Sequence, residues 1–206
     1  MEKKKNVSMK LGIALAMAAL LACFGLVACN GGGSNGGNGG GGAEVGGGFE
    51  ETPIFEDITA GGWLNVSAVY FQPVPMTDGS TIEGKDIHLE ADIHALENEF
   101  GFGIGDWVPY LTVSYKVTNE AGAVAASGTF MVMSASDGPH YGANIALPKA
   151  GTYTIEITIG SPADNNYLLH TDSETGPGAQ SFNELPDGSK WPLVITETWD
   201  YVPLEY

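Results

Sequence analysis

From Trp63 onward, apolar and polar positions alternate with a period of two, and no segment carries the apolar stripe of an amphipathic helix. Leu64, Val66, Ala68 and Tyr70 alternate with Asn65, Ser67 and Val69 as far as the break at Pro73-Val74-Pro75. Ile87, Leu89, Ala91 and Ile93 alternate with His88, Glu90, Asp92 and His94. Leu111, Val113, Tyr115 and Val117 form a third run, closed by the turn Asn119-Glu120-Ala121-Gly122. Val124 to Met133 then reads as the returning strand of that hairpin, with Gly128 weakening its middle. The clearest strand is Tyr153, Ile155, Ile157 and Ile159 against Thr152, Thr154, Glu156 and Thr158. Near the C-terminus, Leu193, Ile195, Glu197, Trp199 and Tyr201 share one face. About seven strands parted by Gly, Pro and Asp turns predict an all-β fold, an immunoglobulin-like antiparallel β-sandwich. No internal repeat is visible.

The first residues follow a different pattern. Lys3, Lys4, Lys5 and Lys10 precede an apolar run from Leu11 to Ala28, the layout of an export signal. Leu26-Val27-Ala28-Cys29 resembles a bacterial lipobox. On that resemblance residues 1–28 are a lipoprotein signal peptide and Cys29 is the lipidated first residue of the mature chain. An uncleaved membrane span is the alternative, and both place the remainder outside the cytoplasm. Residues 29–48 are almost wholly Gly with Asn and Ser, a flexible tether with a reach of about 25 Å. Residues 49–206 are the folded domain. Its glycine run Gly101-Phe102-Gly103-Ile104-Gly105 lacks the third glycine of a dinucleotide loop and lies between strand-like runs.

Cleavage sharpens the charge balance. Of 8 basic residues, all lysine, four lie in the leader, against only Glu2 of the 25 acidic ones. The mature chain therefore carries 24 acidic and 4 basic residues, a net charge of −20. Such a surface repels nucleic acid and attracts cations. Cys23 and Cys29 are the chain's cysteines, so the domain has no disulfide, no thiolate ligand and no cysteine nucleophile. A blue-copper centre is thereby excluded.

The candidate chemistry is metal binding. Strand periodicity puts His88, Glu90, Asp92 and His94 in one row, about 6.5–7 Å between alternate residues. His140 follows the Asp137-Gly138-Pro139 turn after Met133, and His170 opens a polar loop, Thr171 to Gly176. Imidazole suits copper, zinc and iron, and a thioether favours copper. Spacing alone does not bring these residues together, because no pair has the short separation of a strong metal motif. Ser136, Asp137 and His140 are no hydrolytic triad, since no strained nucleophile elbow surrounds the serine. Asp172, Ser173 and Glu174 read as turn formers.

The segments IHLEADIHALE, GFGIGDWVPYLTVSYKV, GTFMVMSASDGPHYGANI and HTDSETGPG, with VYFQPVPM at Val69 to Met76, resemble the periplasmic copper-binding proteins of bacterial iron uptake. The resemblance runs from about Trp63 to the C-terminus. It implies an immunoglobulin-like sandwich, a homodimer, copper as bound metal and iron as the transported ion. The implied copper ligands are His88, Glu90, Met133, His140 and His170. A partner iron permease in the inner membrane is implied as well. Two departures stand out: the lipid anchor, and a short segment between Met76 and His88 that puts Met76 in doubt as a further ligand. Asp92 and His94 fall outside the implied set and read as supporting residues or part of a weaker iron site.

The expected function is that of a non-enzymatic, extracytoplasmic copper-binding lipoprotein of high-affinity iron uptake. The alternative is a copper carrier or electron-transfer protein unrelated to iron. The negative surface is expected to raise the imidazole pKa values of the metal-free protein.

Overall fold

The computed structural model describes residues 50–178 and 180–206. The expected signal peptide, the expected lipidation site Cys29 and the expected tether lie outside the described residues. Nine strands are present among the described residues: β1 (Thr52–Ala60), β2 (Leu64–Phe71), β3 (Ile87–Ala95), β4 (Thr112–Asn119), β5 (Val124–Thr129), β6 (Met131–Ser134), β7 (Pro139–Ile145), β8 (Gly151–Gly160) and β9 (Leu193–Tyr201). Among the described residues, helix is limited to one 3-10 turn, Pro162–Asn165.

The strands form two sheets, one ordered β1-β2-β3-β7-β6 and the other β5-β4-β8-β9. Every pairing is antiparallel. This is the antiparallel, immunoglobulin-like sandwich that the alternation predicts. The inner face of β3 (Ile87, Leu89, Ala91, Ile93) is wholly buried, as are Ile155, Ile157 and Ile159 of β8. Each such aliphatic side chain contributes about 1.5–3 kcal/mol, which makes the register of β3 expensive to change. A one-residue slip would drive His88 and Glu90 into the core.

One expectation is corrected. Val124 to Met133 is not a single returning strand: β5 pairs with β4 in one sheet, while β6 pairs with β7 in the other. The chain changes sheets at Phe130, whose ring is buried and whose N–H donates to the Val113 carbonyl at 2.8 Å. Burial of that ring turns the chain, and the turn delivers Met133 to a position opposite His140. Gly128, read as a weak point, makes room instead: a Cβ there would stand 2.8 Å from the Tyr115 hydroxyl.

β7 is anchored from inside. The Tyr141 hydroxyl donates to the Val108 carbonyl at 2.8 Å and accepts from the Leu111 N–H at 3.1 Å. With Tyr141 pinned inward, His140 and Gly142 must face outward. Asp86 fixes the start of β3, where its N–H donates to Ile145 O and its carboxylate accepts from Leu147 N.

Candidate metal centre

The outer face of the five-stranded sheet carries the site. Across it, Phe71, His88 and Asn144 form one row, and Val69, Glu90, Gly142 and Met131 the next. His140 and Met133 face each other one step further along. An outer face normally meets water, yet His88 is 0% exposed, Glu90 2% and His140 4%. Asp92 and His94, further along β3, are half-buried.

His88, Glu90 and His140 each offer a ligand atom, and these atoms lie within 4.8 Å of one another. Glu90 Oε1 is 3.2 Å from His140 Nδ1, and Glu90 Oε2 is 3.8 Å from His88 Nε2. The fourth donor is seen through Gly142. A Cβ on that residue would stand 2.6 Å from His88 Nε2 and 3.2 Å from Met133 Sδ, so imidazole and thioether converge on its bare side. The Phe71 ring flanks His88 with centroids 5.0 Å apart.

Two buried nitrogens, His88 Nε2 and His140 Nε2, have no hydrogen-bond partner. Leaving a buried polar atom unpaired costs about 1–3 kcal/mol, a cost that a cation bound at His88 Nε2, beside Met133 Sδ, removes there. The donors are two imidazoles, a thioether and a carboxylate, a set that suits copper better than zinc, calcium or magnesium. The residues present therefore fit a copper ion.

Electrostatics reinforce this. Burial lowers the pKa of His88 from 6.5 to about 4, and burial lowers that of His140 as well. Both rings are neutral and able to ligate at neutral pH. The expectation that negative surface charge would raise them is overturned for these two, because desolvation of the imidazolium outweighs the Asn144 hydrogen bond at His88 and the attraction of Asp92 and Asp137 at His140. Glu90 moves the other way. Burial pushes its pKa well up, helped by the charge of Asp92, a hydrogen bond shared with Asp92, and the charges of Asp137 and Glu51. Burial raises Asp92 as well, so the close Glu90–Asp92 pair shares a proton.

His170 stands apart from this cluster in the single chain. It is exposed and lines a cavity with Asn98, Phe100, Tyr167 and Gly176. Its loop is nonetheless built to present it. Asp172 caps the turn by accepting from Thr175 N at 2.8 Å and Glu174 N at 3.1 Å. The Thr175 hydroxyl gives its proton to Asp172 at 2.6 Å and so accepts from His170 Nδ1 at 3.1 Å. His170 Nε2 is left as the free donor atom. Met76 is half-buried in the segment between β2 and β3, and its carbonyl accepts from Gly79 N.

The sequence analysis missed Gly142 and Asn144. Both were detectable, because PHYGANI alternates and puts His140, Gly142 and Asn144 on one strand face.

A sequence model of the Fe2+ transport protein family matches residues 48–201. The chain belongs to that family. The resemblance carried by IHLEADIH, MVMSASDGPH and HTDSE is thus to the family of which the chain is a member. A UPF0423 protein of Brucella abortus is 42% identical over 135 residues, 62% of this chain and 74% of the relative. The 34 kDa membrane antigen of Treponema pallidum is 40% identical over 148 residues, 68% of this chain and 72% of the antigen. Among solved structures, FetP of uropathogenic E. coli strain F11 shares 42% identity at a TM-score of 0.65, covering 77% of this chain and 100% of FetP. Copper-reconstituted P19 of Campylobacter jejuni shares 35% identity at a TM-score of 0.66, covering 76% of this chain and 99% of P19.

Proposed function

We propose that this member of the Fe2+ transport protein family is an extracytoplasmic copper-binding protein of iron uptake. The observation that carries the reading is the buried group of His88, Glu90 and His140, with the Met133 thioether converging on the bare face of Gly142. Copper-bound FetP and P19 support the choice of metal. His88, His140, Met133 and Glu90 would hold the ion, and copper there would supply one-electron chemistry. The chain's own residues do the rest. They desolvate the imidazoles so that they stay neutral, keep the thioether in place, and store a proton between Glu90 and Asp92 until a cation displaces it.

His170, the fifth expected ligand, would come from a second copy of the chain, since within one copy it is exposed and apart from the cluster. A homodimer then follows from the need to complete the site. Iron, as cargo, would approach on the acidic side, where Asp92, His94, Asp137 and His140 line an open cavity of about 240 Å³. The charge of Glu51 also reaches Glu90. Anchoring through a lipidated Cys29, and delivery to an inner-membrane iron permease, complete the proposal. No turnover of an organic substrate is assigned.

A strain lacking the gene, grown under iron limitation, tests it. Uptake of radioactive iron should be restored by the wild-type chain and not by His88→Ala or His140→Ala. Full restoration by both variants would overturn the proposal.

A further inference from the structure

Asn144 lies beside His88 in the sheet and makes three contacts with its side-chain amide. Its Nδ2 donates to the Val74 carbonyl at 2.7 Å, its Oδ1 accepts from the Val74 N–H at 3.2 Å, and the same Oδ1 is 3.0 Å from His88 Nδ1. Two of these contacts have fixed polarity, because a backbone N–H only donates and a carbonyl only accepts. They determine which end of the amide faces His88, and that end is the oxygen. An amide oxygen has no proton to give, so the proton of the neutral ring must sit on His88 Nδ1. Nε2 then carries the lone pair. It is the atom without a hydrogen-bond partner, directed at the bare side of Gly142 and the Met133 thioether.

We propose that Asn144 is a positioning residue that locks His88 in its Nδ1–H tautomer, presents Nε2 to the metal, and ties that choice to the backbone of the segment between β2 and β3. The effect on metal affinity rests on the copper reading above, whereas the tautomer does not. Val74 belongs to the segment that leaves β2 at Phe71 and returns to β3 at Asp86. The amide therefore couples the placement of that segment to the state of a ligand. Histidines that ligate metals commonly give their other N–H to such a partner, and removing the partner costs about 10–100-fold in metal affinity.

The test uses the full chain, metal-free, with 15N-labelled histidine at pH 7, where ring nitrogen shifts distinguish the two tautomers. Wild-type His88 should carry its proton on Nδ1. Asn144→Leu should release it to Nε2 or to a mixture, and copper affinity should fall by about 10–100-fold. Asn144→Asp keeps an acceptor and should keep the Nδ1–H tautomer, which a residue serving only as a loop clamp would have no reason to do. A wild-type His88 protonated on Nε2 would overturn the proposal, and so would an Asn144→Leu variant with tautomer and affinity unchanged. Should Asn144→Leu fail to fold, the wild-type and Asn144→Asp spectra still decide. Failure of the wild-type chain to bind copper, with the tautomer still following residue 144, would sink the copper reading and leave the role of Asn144 standing.

Discussion

Replacing Gly142 by alanine adds one methyl group at the point where the metal donors converge. The backbone there is ordinary strand, so the substitution brings no conformational strain of its own. The added Cβ would sit 2.6 Å from His88 Nε2, 2.9 Å from His88 Cε1 and 3.2 Å from Met133 Sδ. Ordinary contact begins near 3.4 Å, so the imidazole is overlapped by about 0.8 Å. Met133 can swing away on its rotatable bonds. His88 cannot easily do so, because Asn144 holds Nδ1 and the Phe71 ring flanks it. Overpacking of this kind costs about 1–3 kcal/mol. For a domain of this size that lowers Tm by roughly 2–12 °C, leaving a folded protein. The metal site suffers more, because ligand distances tolerate only about ±0.2 Å. Copper affinity, measured by competition with a chelator of known strength, should fall by about 10–100-fold, on the scale of lost ligand positioning. A Gly142→Ala chain that is folded and binds copper like wild type would refute the assignment of this cradle as the metal centre.

Three further expectations follow from the buried groups and the leader. In metal-free Glu90→Gln, stability should drop as pH falls from about 6.5 to about 4, because the unfolded chain protonates His88 before the folded one does; in wild type the proton retained by folded Glu90 opposes that loss, and a variant Tm constant across the window would contradict the burial of His88 as a neutral ring. Copper uptake at pH 7 should release about one proton, drawn from the Glu90–Asp92 pair rather than from the already neutral imidazoles. Calorimetry in buffers of different ionisation enthalpy would detect this, and Glu90→Gln should abolish the release. Cys29→Ser should move the protein from the membrane fraction to the soluble one, and persistence in the membrane would favour an uncleaved span.

What could be read in the sequence was whatever a strict period of two exposes. β3 and β8 alternate cleanly, and their apolar faces are the buried ones. The row of His88, Glu90, Asp92 and His94 on one strand face emerged directly, whereas the burial of His88 and Glu90 within it depends on packing. β1 escaped notice because its burial pattern is irregular, with register shifts and Asp57 at φ 56°. Nothing local announces the change of sheet at Phe130, which depends on where its ring finds a core. The pKa directions were misjudged for a related reason. Net charge is legible in composition, whereas the desolvation that outweighs it is a property of packing. The roles of Gly142 and Asn144 come from registers across strands far apart in the chain.

The most direct measurement is X-ray absorption at the copper edge on the loaded chain, compared between wild type and Met133→Leu. The Leu substitution roughly conserves volume and should cost less than about 1.5 kcal/mol in stability. The account predicts imidazole nitrogen scatterers together with one sulfur scatterer in wild type, and loss of that sulfur in Met133→Leu with copper still held more weakly. A shell of oxygen alone, or a sulfur signal that survives Met133→Leu, would contradict a copper centre built from His88, Glu90, Met133 and His140.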